Sequence, residues 1–157
     1  MKSLIASIVF IVFSSICLYA DEAIGLTREV GCVIKSSIMF RHSVEKNIGE
    51  HAVQVDRLCK INQSIRGIKA TEDFLNIILK VSVNIGKWTA LDNIACSNGV
   101  DTIRLFTKKI TDCPELKTNE QIQSAASDLN ASIEKFLGHA GHLDQAEEAK
   151  PGQIEGN

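Results

Sequence analysis

Between Thr71 and Ile85 the chain reads TEDFLNIILKVSVNI, and eight of those fifteen positions are apolar: Phe74, Leu75, Ile77, Ile78, Leu79, Val81, Val83 and Ile85. Thr71 followed by Glu72 and Asp73 predicts a helix start, because a hydroxyl can accept an orphan amide and acids suit the positive end of the helix dipole. The apolar positions spread over more than one face, so this pattern predicts a central helix buried nearly all round. Fifteen residues are too few to cross a bilayer.

The same period continues on both sides. Val30, Val33, Ile34, Ile38, Val44 and Ile48 form one stripe and predict a helix from about Thr27 to Asn47. Asn47-Ile48-Gly49 marks its break. Glu50 to Ile68 carries Val55, Leu58, Cys59, Ile61, Ile65 and Ile68 and predicts a second helix, with Gly67 and Ala70 loosening the chain before the central one. Gly86-Lys87 predicts the end of the central helix. Thr89 to Cys96 reads as a short helix stopped by Ser97-Asn98-Gly99, a left-handed type of ending. Val100 to Ile110 follows and ends at Cys113-Pro114, since the residue before a proline avoids helical geometry. Thr118 and Gln121 suggest a capping box. The stripe Ile122, Ala125, Ala126, Leu129, Ile133, Phe136 and Leu137 then predicts a last helix that decays at Gly138 and Gly141. The expected fold class is all-α: one disulfide-stapled bundle of four to six helices.

Composition adds the two ends. Lys2, the apolar run Leu4 to Phe13 and Leu18-Tyr19-Ala20 before Asp21-Glu22 predict a signal peptide over residues 1–20, removed from a secreted chain. The helical domain is expected over 21–139 and a disordered acidic tail over 140–157. Removing residues 1–20 takes Cys17 and Lys2 away. Four of the five cysteines then remain, with 16 basic residues against 19 acidic ones, a net charge of −3. The excess sits in the tail at Asp144, Glu147, Glu148 and Glu155. Arg57, Lys60, Arg66 and Lys69 are scattered and do not form the basic stripe a nucleic acid requires.

An even number of cysteines in a secreted chain predicts disulfides at Cys32, Cys59, Cys96 and Cys113. The expected pairing is Cys32–Cys59 and Cys96–Cys113. A continuous helix from 32 to 59 would hold the sulfurs about 40 Å apart at 1.5 Å per residue, against about 7 Å between bridged Cα atoms. That pairing therefore depends on the break near Asn47–Gly49. Two glycosylation sequons occur, Asn62-Gln63-Ser64 and Asn130-Ala131-Ser132. Helical phase places Asn62 inside the apolar arc of its helix and Asn130 at the margin of the last stripe, so Asn130 is the expected acceptor.

Catalytic motifs are missing: the sequence holds no GxSxG, HExxH, Walker loop or CxxC. His139 and His142 lie three apart, near Asp144, but between glycines at a decaying helix end, and read as surface residues; no metal or other cofactor is expected. Glu72-Asp73 reads as helix-start electrostatics, and Trp88 as a core lid with its indole N–H bonded. The expected function is therefore non-enzymatic: an extracellular interaction module binding another protein. The alternative is a carrier of a small apolar ligand between helices. The spacing Cys32-x26-Cys59-x36-Cys96-x16-Cys113 resembles that of four-cysteine insect odorant-binding proteins. Those are helical, secreted and bind small apolar molecules, which is what the carrier reading takes from the resemblance. The first gap is short for that family, and a full amphipathic helix follows Cys113 where the family has a short tail. No binding residue carries over.

Overall fold

A computed structural model describes residues 22–148, with side chains over 24–143. The signal segment 1–20 and the end of the acidic tail, 149–157, lie outside the described residues. Every regular element among the described residues is helical: α1 Glu22–Ile48, a 3-10 turn Gly49–His51, α2 Ala52–Cys59, α3 Ile61–Ile85, α4 Ala90–Thr111 and α5 Glu120–Glu148. The four long helices pack in a closed ring, α1 on α3, α3 on α4, α4 on α5 and α5 on α1. Cross-helix pairs fix the directions. Ser36 meets Ser132 while Glu29 meets His139, so α1 and α5 run antiparallel. Asn93 meets Ala140 and Arg104 meets Glu134, so α4 and α5 do too.

Alternating three- and four-residue steps build the core, the spacing that keeps one stripe facing inward on a nearly straight helix. On α1 the buried stripe is Leu26, Val30, Val33, Phe40 and Val44; on α5 it is Ile122, Ala126, Leu129, Ile133, Phe136 and Ala140. On α4 it is Cys96, Val100, Ile103 and Ile110. Two buried polar residues beside these stripes are held by several hydrogen bonds. Glu72 is 3% exposed and accepts from Ser37 Oγ at 2.6 Å, Arg41 Nε at 2.9 Å and the Arg41 terminal nitrogen at 2.8 Å. Buried Asn93 accepts from the Trp88 indole at 3.3 Å and donates to the Ala140 carbonyl at 3.2 Å. Trp88 is thus the partly buried lid that its sequence context implies.

Several boundaries differ from expectation, each for a local reason. The second helix breaks at Lys60, which takes a left-handed conformation (φ 53°, ψ 41°) and hands the chain to α3 one residue later. Thr71 does not cap anything: its hydroxyl donates to the Gly67 carbonyl at 2.8 Å in mid-helix, so α3 starts ten residues earlier than the Thr71 signal implies. Gly67 and Gly99 are contact residues, not loosening or stop signals. A Cβ on Gly67 would lie 2.4 Å from the Phe106 ring, and one on Gly99 would lie 2.9 Å from Leu75 Cδ2. They let α3 and α4 approach closely, and α4 runs unbroken through Ser97-Asn98-Gly99. Gly86 does end α3 in the left-handed region (φ 69°). Thr89 and Asp92 form a reciprocal capping box on α4. On α5 the capping oxygen is Asn119 Oδ1, bonded to the Ile122 amide at 3.0 Å, in place of Thr118. That helix passes both glycines and runs to Glu148, with Ala140 buried, so the domain extends beyond residue 139.

Candidate functional site

The central helix is not buried all round. Measured by 100° per residue, α3 carries two apolar stripes. Ile61, Ile68 and Leu75 point inward and are at most 1% exposed. Ala70, Phe74, Ile77, Val81 and Ile85 repeat at steps of four, three, four and four on another side. Phe74 is 46% exposed, Ile77 62%, Val81 48% and Ile85 68%. On α4, Leu91 at 75% and Ile94 at 54% adjoin this stripe.

Where α3 and α4 meet, the surface dips into a trough of about 540 Å3. Small residues make its floor, Ala70, Ala95 and Gly99, and larger apolar ones its walls, Phe74, Leu91 and Ile94; Thr71, Asn98 and Thr102 complete it. The floor follows from the close α3–α4 approach at Gly99, whose hydrogen faces Leu75 and Thr71. No charged side chain lines this trough. Chemically it can exclude water from an apolar surface and offer a few hydroxyl and amide groups at the rim. A second groove of about 440 Å3, open like the first, lies beside the disulfide between Lys60, Phe106 and Lys109, with the Lys109 ammonium 5.4 Å from the Phe106 ring centroid.

The cysteines pair otherwise than predicted. Cys59 bonds to Cys113, with Cα atoms 5.8 Å apart, while Cys32 and Cys96 are free thiols. The chain does break after α1 as the Cys32–Cys59 pairing requires, but α2 has only eight residues, a rise of about 12 Å. Cys32 sits sixteen residues back from the end of α1, about 24 Å away along that axis. Cys59, at the end of α2, instead meets Cys113, just past the end of α4. Cys96 cannot reach Cys113, because the unbroken α4 holds them apart. Cys96 is buried, and that burial, aided by Asp92, pushes its thiol up to about 12; Cys32 is exposed.

Both sequon asparagines are exposed. The left-handed Lys60 resets the helical phase, so Asn62 lies on the outside of α3 and not in an apolar arc. Asn130 lies on the exposed side of α5. His139 is drawn to a residue the sequence pattern did not single out: its Nδ1 lies 2.6 Å from Glu29 Oε1, while buried Glu29 Oε2 has no hydrogen-bond partner among the described residues. Among the described residues no group of three or more His, Cys, Asp or Glu side chains is placed to hold a metal ion, and no helix is long and apolar enough to cross a membrane. Arg57, Lys60, Arg66 and Lys69 are all exposed. The signal that could have revealed the trough is the doubled stripe itself: residues 70, 74, 77, 81 and 85 keep the helical period independently of 61, 68 and 75. Comparison with known proteins returned no match to this chain among family models, curated proteins or solved structures.

Proposed function

We infer that this protein is a secreted, non-enzymatic interaction module that docks a macromolecular partner on the α3–α4 apolar face. One observation carries the reading: six large apolar side chains from two adjacent helices stand 46–75% exposed on one face. A filled core with a contiguous apolar patch outside it is the signature of a docking surface. A carrier instead requires a cavity that covers most of its ligand. The trough has the volume of a ligand site, but it is open to solvent and not an enclosed cavity. Secretion rests on the leader-like residues 1–20 and accords with the disulfide.

Native mass spectrometry of the protein recovered from the medium tests this reading. The expected result is a protein assembly that Leu91→Glu with Ile94→Glu dissolves, and no small apolar molecule bound one to one. Retention of such a molecule by the unaltered protein, with no assembly, would overturn it in favour of the carrier.

A further inference from the structure

We propose that the partner seated on this face is a second copy of the same chain, with α3 packed antiparallel against α3 about a two-fold axis near residues 76 and 77. The inference rests on the reading of the α3–α4 face as a docking surface and names its occupant. Three observations carry it.

The exposed stripe has the spacing of a helix–helix seam. Ala70, Phe74, Ile77 and Val81 alternate steps of four and three, the pattern that interlocks with a like helix. Among the described residues α3 packs on α1 and α4, and neither covers the stripe, which stays exposed.

The charges beside the seam are self-complementary. Asp73 and Lys80 occupy equivalent flanking positions one heptad apart, both exposed, and neither forms a salt bridge among the described residues. In an antiparallel pair centred between them, Asp73 of each copy meets Lys80 of the other, twice by symmetry. A parallel two-fold pairing would instead turn the charged flank of each copy toward the α4 side of the other and form neither pair. The opposite flank faces α4, where Leu91 and Ile94 extend the apolar surface of each copy.

The area is sufficient. Half-exposed side chains of this size each present on the order of 100 Å2, so the six give roughly 600 Å2 per copy, close to the ~800 Å2 per partner of a standard interface. A net charge of only −3 once residues 1–20 are removed leaves little net repulsion between copies.

Sedimentation equilibrium of the purified protein tests the proposal, in a Cys32→Ser background so that the exposed thiol forms no covalent dimer. A dimer is expected, and Ile77→Asp or Val81→Asp should give a monomer with unchanged circular dichroism. Asp73→Lys or Lys80→Asp alone should weaken the dimer about tenfold, and the two together should restore it, because opposite charges again face each other. A chain that stays monomeric at about 200 μM, or a dimer indifferent to Ile77→Asp and to the charge reversals, overturns the proposal. If the chain alone is monomeric yet native mass spectrometry shows a different protein held on Leu91 and Ile94, the docking surface stands and this occupant is wrong.

Discussion

Arg41 on α1 grips both carboxylate oxygens of Glu72 on α3, at 2.9 and 2.8 Å. The pair is almost closed to solvent, with side chains 13% and 3% exposed. The guanidinium is held above its ordinary value chiefly by the Glu72 hydrogen bonds, against the opposing effect of burial. Removing one partner strands the other. Arg41→Ala is expected to destabilise the fold by about 3–5 kcal/mol, a fall on the order of 10 °C in Tm for a domain of this size. Replacing both residues with Met should cost far less. Thermal unfolding of the two variants checks the contrast.

Cys32 and Cys96, the free thiols among the described residues, should differ sharply in reactivity. With its thiol pushed up to about 12, Cys96 holds only about one part in ten thousand as thiolate at pH 8. Iodoacetamide should therefore label exposed Cys32 alone in the native protein and Cys96 only in denaturant, as peptide mapping will show. The linkage has a defined sign. Above pH 9 the unfolded chain releases this proton before the folded one, so stability falls as pH rises from about 9 to 12, by up to ~1.4 kcal/mol per pH unit.

Two glycine substitutions should move stability in opposite directions. Gly99→Ala drives a methyl to 2.9 Å from Leu75 Cδ2, so the fully buried Leu75 side chain must shift within the core. A loss of about 1–3 kcal/mol is expected. Gly138 lies inside α5 with nothing within 4 Å of its added Cβ. There Ala should gain up to about 1 kcal/mol through helix propensity. Urea titrations of the two variants read both signs.

Exposure of both sequon asparagines means that a glycan at either clashes with no packing in the fold. Secreted protein should carry one at Asn130 and one at Asn62. Intact mass before and after glycosidase should fall by two glycans, and Asn62→Gln and Asn130→Gln should each remove one. A bare Asn130 in otherwise secreted protein would count against the route that residues 1–20 imply.

Much of the bundle is legible in the sequence because its core obeys a single period. The α5 stripe, the Gly86 ending and the role of Trp88 all follow from local pattern. What escapes is decided by tertiary context. Lys60 adopts a left-handed backbone with neither glycine nor asparagine to announce it, and that one residue moves Asn62 outward. Gly99 after Ser97-Asn98 has the local look of a helix end, yet its role is set by Leu75, twenty-four positions away. Glu72 reads as a dipole-compensating acid until Arg41 is known to be within reach. The apolar trough was hidden by abundance, since a helix with apolar residues on most sides is expected to be surrounded and α3 is not.

The Cys59–Cys113 bond divides the molecule in a way its helical packing does not. Residues 59 to 113 form a closed covalent loop that contains all of α3 and α4, and so the whole apolar face. α1 and α5 are the open arms on either side of it, held to each other without any covalent tie. A load applied through the two ends of the chain would therefore peel away α1 and α5 first. It could never draw out the span between Cys59 and Cys113, whose contour is hidden from any pull on the ends. Mechanically the protein is a tethered ring that displays one surface, fastened at both sides by a detachable clasp.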